Sequence, residues 1–160
     1  MLEIKAATIE RVEDIREVFG SNASIRGCSC MWFLTSVSDF HAAGPQGNRA
    51  LFEELLRQES VPMGLIAYQN GEPIGWCAVG PRIRYVRAIR TPTYKGRDPS
   101  EDENVWLVPC TYVRPGPSKD ETVSALLEQA VALAQAHGAS AIESFPFVGS
   151  KLKSSGDTQV

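Results

Sequence analysis

Three short stretches carry residue types from which a site could be built. The first is Ser118-Lys119-Asp120-Glu121, in the turn "RPGPSKDETVSALLEQAV" that feeds a long amphipathic helix. A helix start offers unpaired amides and the positive end of the helix dipole, and together these hold a phosphate where a glycine-rich turn lets it approach. Ser, two residues, then Glu spells something else, a capping box. The Ser118 hydroxyl accepts from the Glu121 amide, and the Glu121 carboxylate reaches back to the Ser118 amide. On that reading the helix start satisfies itself. The second stretch is Cys28-Ser29-Cys30. Zinc wants four ligands, commonly from two Cys-x-x-Cys-like pairs. These two cysteines are one residue apart, and only Cys77, Cys110, His41 and His137 remain to complete a set, so no metal is expected. A redox pair at Cys28 and Cys30 would need an accessible thiolate of low pKa. The packing alternative puts Cys28, Cys30, Met31, Trp32 and Phe33 together as an apolar lid. The third stretch is the basic run Arg82, Arg84, Arg87, Arg90, Lys95 and Arg97, read either as a solvated connection or as contact for an anionic ligand.

The rest of the chain does not extend that basic run. With 160 residues, a net charge of -3, 43% apolar and 22% charged residues, it reads as one soluble globular domain. The concentrated basic face that nucleic acid requires is missing. No apolar run reaches the length of a membrane span, and the N-terminus lacks the basic start and apolar stretch of a signal peptide. Four cysteines without an export signal are expected as reduced thiols, which places the chain in the cytoplasm.

Periodicity supplies the elements that would position these residues. "LEIKAATI" reads as a first strand, and Thr8 as the N-cap of a helix with Ile9, Val12, Ile15, Val18 and Phe19 at helical spacing. Residues 25–47 read as irregular, after which Asn48 caps a second helix with Leu51, Leu55 and Leu56 on one face. "MGLIAYQ" and "EPIGWCAVG" are strand-like and joined by Asn70-Gly71, a pair suited to a two-residue turn of positive φ, so an antiparallel hairpin is predicted. Residues 82–104 read as a partly helical excursion closed by a solvated acidic loop containing Glu101, Asp102 and Glu103. In the next strand, "VWLVPCTYV", Pro109 removes a ladder donor, so a bulge or splayed edge is expected there. The long helix buries Val123, Leu126, Leu127, Ala130, Val131 and Ala134 and ends at His137-Gly138. "SAIESFPF" is the last strand. The order β-α-α-β-β-β-α-β, with one crossover helix joining two parallel strands, defines a mixed α/β class. The domain is read as residues 1–148 and a polar tail as 149–160, with Trp76 and Trp106 in the core.

Those elements in that order resemble the GNAT superfamily of acyl-CoA-dependent N-acetyltransferases, over nearly the whole length. "GLIAYQNGEPIGWCAVGPR" is similar to that family's central hairpin, and the segment from "NVWLVPCTYV" to "SAIESFPF" to its cofactor-binding strand, loop, helix and following strand. "CSCMWF" and "GNRALFEELL" are similar to one bacterial branch. The resemblance implies a single-domain mixed sheet flanked by helices, with acetyl-CoA as cosubstrate and a small amine as acceptor. Its pantetheine arm would lie in a gap between the fourth and fifth strands, paired with the backbone around Cys110, Thr111, Tyr112 and Val113. The pyrophosphate would sit at Ser118, Lys119, Asp120, Glu121, Thr122 and Val123. Neither glycine of the family's pyrophosphate motif is present among those six. A Glu carboxylate ~5 Å from a phosphate charge costs roughly 3 kcal/mol at an effective dielectric near 20, against ~0.3–1 kcal/mol returned by the dipole to an exposed anion.

The implied chemistry needs a base for the ammonium, a donor for the carbonyl oxygen and a proton for the departing thiolate. Glu143 is the candidate base, or else a solvent-facing strand carboxylate. Tyr112 is the candidate proton donor, or else a packed tyrosine. Cys110 lies on the pantetheine side, or else is an inert core thiol. The cysteine-rich lid would cover the acceptor side. The family's usual final helix and two strands are not matched, so a second copy, as in a homodimer, could cover the last sheet edge, or the chain could be shortened. Two other functions remain open: a non-catalytic binding or assembly module on the same fold, and a thiol redox protein using Cys28 and Cys30.

Overall fold

The computed structural model describes residues 1–20 and 30–145. Cys28 and the 149–160 tail lie outside the described residues, and with them the redox pair and the domain's final boundary. Five strands form one sheet in sequential order: β1 Leu2–Ala6, β2 Gly64–Gln69, β3 Glu72–Pro81, β4 Val105–Val113 and β5 Ala141–Ser144. The first four run antiparallel and β4–β5 is parallel, as the crossover helix α3 (Lys119–Ala136) requires. At the β2–β3 turn Asn70 and Gly71 both have positive φ, at 52° and 87°, which is the turn that this pair predicts.

Helices cover both faces. On one, α3 lays Thr122, Leu126, Ala130 and Ala134 against the sheet, a strict i, i+4 stripe, while Val131 is exposed. Gly75 matches this stripe, because a Cβ there would come within 3.2 Å of Leu126. Gly138, at φ +74°, ends the helix. On the other face, α1 (Val12–Phe19) and α2 (Val37–Gln58) pack Ile15, Val18, Phe19, Phe52 and Leu56 around Trp76, Ile66 and Tyr68. The Tyr68 hydroxyl donates to Asp14 at 2.6 Å and fastens α1 to β2.

Several sequence expectations are corrected here. A 3-10 turn, Ile9–Arg11, precedes α1, and Thr8 makes no capping bond. Residues 37–47 are helical rather than irregular. Ser36 caps α2 by accepting from the Asp39 amide, and Gly44, at φ 64° and ψ -179°, kinks the helix just before Pro45. Asn48 therefore lies inside the helix, buried, donating to the Phe40 carbonyl at 3.0 Å. The buried stripe is Asn48, Phe52 and Leu56, which turns Leu51 outward. Met31 is core, Phe33 packs on a separate cluster with Tyr85 and Tyr94, and Arg87 lies 3.7 Å over the Trp32 ring. Met31, Trp32 and Phe33, read as part of a lid, are thus fixed in the body of the domain. Trp76 and Trp106 are core, as expected.

Candidate functional site

The segments between β3 and β4 are only partly solvated: Arg90, Lys95, Glu101 and Glu103 are exposed, whereas Asp102 and several arginines are drawn inward. Arg82 and Asp102 are 3% and 4% exposed and joined by a 2.7 Å hydrogen bond. Arg97 donates to the same carboxylate at 3.1 Å. Burial works against the Arg82 charge, but Asp102 and Glu143 outweigh it and raise the guanidinium above its usual range. Arg84 donates to the carbonyls of Pro62, Val61 and Val79, and Arg87 to that of Thr35. Four arginines of the basic run are therefore internal clamps that hold a chain of 3-10 turns (Arg82–Arg84, Ala88–Arg90, Pro92–Tyr94, Pro99–Glu101) on the end of the sheet. Composition cannot distinguish this from a solvated run, because a clamp and a surface patch use the same residues.

Beside this excursion β4 changes character. Ala78 pairs with Cys110 and Gly80 with Leu107, so Val79 alone stands opposite Val108 and Pro109. This is the bulge that Pro109 predicts. The side-chain alternation reverses across it. Trp106 and Val108 face α3 before the bulge and Val113 faces α3 after it, while Cys110 and Tyr112 pack toward α1. Pairing with β5 stops at the same point, since the last partners are Val108 and Ser144. Among the described residues, Cys110 to Val113 of β4 pair with β3 alone, which leaves the other edge open. An extended ligand could add itself to such an edge through backbone bonds.

The open edge leads to the start of α3. The capping box does not form: Ser118 sits at φ -93° and ψ 13°, and no side chain caps the helix. A capping serine needs extended backbone to aim its hydroxyl at the third helical amide, and the turn through Gly116 denies Ser118 that conformation. The Ser118 carbonyl instead accepts from the Thr122 amide and hydroxyl, at 2.9 and 2.8 Å. Lys119 donates its amide to Gly116, whereas the amides of Asp120 and Glu121 have no acceptor among the described residues. The helix start is open, with Asp120 and Glu121 side chains exposed around it.

Of the other candidates, Thr111 is exposed on the open edge and Tyr112 is half-buried there, its ring 5.5 Å from that of Phe19. Val113 is buried, and Val123 packs partly against the α3-side core. Cys110 is half-buried on the α1 face. Glu143 is on β5, but its carboxylate accepts from Arg82 at 3.3 and 3.4 Å. It is partly exposed and engaged by Arg82. A cavity of about 20 Å³ opens at the parting point, lined by Phe33, Ala88, Tyr94, Leu107, Val108, Pro109 and Phe145. The Tyr94 hydroxyl is buried, and burial, followed by the Glu143 carboxylate beside it, raises its pKa. Sequence reasoning missed Tyr94, which lies in a segment without periodicity.

No protein-family model matches the chain, and no curated protein matches it in sequence. Solved structures do. An aminoglycoside N-acetyltransferase in complex with CoA superposes with a TM-score of 0.59 at 18% identity, over 92% of this chain and 78% of that one. The fold is that of the GNAT acetyltransferases. A GCN5-related N-acetyltransferase from Ralstonia eutropha JMP134 shares it at a TM-score of 0.52 and 15% identity, covering 91% and 84% of the two chains. A ribosomal-protein-alanine N-acetyltransferase from Brucella melitensis biovar Abortus 2308 does so at 0.52 and 14%, covering 90% and 79%. On this fold, the parted strands and the open helix start adjoin each other, and both have backbone groups to spare among the described residues.

Proposed function

We propose that the chain is an N-acyltransferase that takes an acetyl group from acetyl-CoA and delivers it to a small amine. The observation that carries this reading is the parting of β4 from β5 at the Val108–Pro109 bulge, continuous with an uncapped helix start. The residues present suit a CoA-type cosubstrate. The edge of Cys110, Thr111, Tyr112 and Val113 would pair with the amides of the pantetheine arm, and the amides of Asp120 and Glu121 would receive the pyrophosphate, with Lys119 beside them. Thr122 holds the turn in place. The bound cosubstrate supplies an activated thioester. Tyr112, on that edge, is the proposed donor of the proton that the departing thiolate takes up. Glu143 is the proposed base, and it serves only where its carboxylate exchanges Arg82 for the ammonium.

Exposed Asp120 and Glu121 favour a second reading, in which the fold persists as a non-catalytic binding module. Calorimetry decides between them. Micromolar binding of acetyl-CoA, with CoA released when amines are supplied, supports the transferase. Absence of heat at millimolar acetyl-CoA supports the module.

A further inference from the structure

The excursion between β3 and β4 has a use that the transfer reading alone does not give it. The open edge runs from the bulge to the start of α3. A cosubstrate anchored by its pyrophosphate at Asp120 and Glu121 therefore brings the far end of its arm to Val108–Pro109, where the small cavity opens. Resting on that reading, we infer that Phe33, Tyr94 and Phe145 form a wall that limits the donor acyl group to acetyl.

The volume decides the limit. A space of about 20 Å³ holds roughly one water-sized or methyl-sized group by the same measure. The methyl of an acetyl group fits, and a longer acyl chain must either displace an aromatic wall or turn out through the open side of the cavity. The walls do not yield easily. Tyr94 is 4% exposed and stands edge-on to Phe145 with ring centroids 5.3 Å apart. Arg82, itself fixed by Asp102, lies 5.7 Å over the Tyr94 ring. The carbonyl of Phe33 accepts the Arg87 amide at 3.2 Å, and Arg87 is clamped over Trp32. Buried Arg82 and half-buried Arg87 thus brace aromatic groups that line the cavity. Phe145, 44% exposed, is the one wall that can be removed at little cost to the core.

The test measures the affinity of the intact chain for acetyl-, propionyl- and butyryl-CoA by calorimetry, alongside Phe145→Ala and the milder Phe33→Leu. Thermal melting checks that each variant is folded. One methylene too many in a tight pocket costs about 10- to 200-fold, so the expected loss from acetyl- to butyryl-CoA is at least tenfold. Phe145→Ala should reduce that ratio to about threefold or less. Equal affinity for all three donors, or a ratio unchanged in both folded variants, overturns the inference and leaves the transferase reading standing. Binding of none of the donors overturns both.

Discussion

Val105–Val108 and Cys110–Val113 are two halves of one strand under opposite rules. The first half pairs with β5 along its length and with β3 at Trp106 and Leu107, and its four residues are buried. An excursion whose buried charges, Arg82 and Asp102, are matched covers its end. Among the described residues the second half has one partner strand and an open edge, and it leads to a helix in which the amides of Asp120 and Glu121 are left over. A single residue that cannot donate, Pro109, separates them. The comparison teaches that the fold spends its polar residues on making one half immovable, and that the adjacent half can then stay unsatisfied without collapsing.

If that division holds, damage to the closed half should cost stability. Asp102→Ala leaves Arg82 buried without its main partner, and breaking a buried pair in this way costs about 3–5 kcal/mol. Urea unfolding should show the loss. A change below about 1 kcal/mol would mean that the excursion is not the brace described here.

Alkaline pH probes both halves, because Tyr85 and Tyr94 lie in the excursion and Cys77 pairs with Thr111 of the open half. Burial raises the phenols of Tyr85 and Tyr94 above their usual range and pushes the Cys77 thiol to about 11. In each case the folded state keeps its proton to higher pH than the unfolded chain does. Their contribution is therefore whole at neutral pH and is lost as pH climbs past the unfolded values, near 9 for the thiol and 10 for the phenols. Stability should fall by up to about 1.4 kcal/mol per pH unit for each group. Flat stability from pH 9 to 11 would contradict this.

At the boundary of the open half the expected effect is smaller. Thr122→Val removes the hydroxyl bond to the Ser118 carbonyl, which keeps its amide donor. The cost should be about 1 kcal/mol, with acetyl-CoA affinity falling further than a distant substitution of equal cost would lower it. Calorimetry on the folded variant checks the second part.

Legibility followed the same division. The element order, the Asn70-Gly71 hairpin, the parallel last pair and the bulge at Pro109 were readable, because each depends on local geometry that a residue type enforces. The partners of charged residues were not. Asp102 looks like its solvated neighbours Glu101 and Glu103, and only tertiary structure brings Arg82 and Arg97 to it. The capping box failed for a related reason. Ser118 and Glu121 have the right spacing, but the turn preceding them sets a backbone angle that spacing cannot report. Of the site, the edge at Cys110–Val113 came from resemblance, Glu143 proved to be engaged, and Tyr94 had no signal at all.

The finest test of the open half is Glu121→Gln. Its side chain is exposed, so solvent shrinks the unfavourable meeting with a pyrophosphate well below the value for a dielectric near 20. Exposed charge pairs are worth about 0.2–1 kcal/mol, and acetyl-CoA affinity should therefore rise only about two- to fivefold. Stability should move the other way, because a carboxylate in the first turn favours the helix dipole by ~0.3–1 kcal/mol. Tighter binding with a slightly lower melting temperature is a signature that general loosening would not produce. The gain should also fade in ~1 M salt, where the Debye length shrinks to ~3 Å. A gain that persists there would assign Glu121 a steric role, and the acid at this helix start would then oppose the cosubstrate by shape rather than by charge.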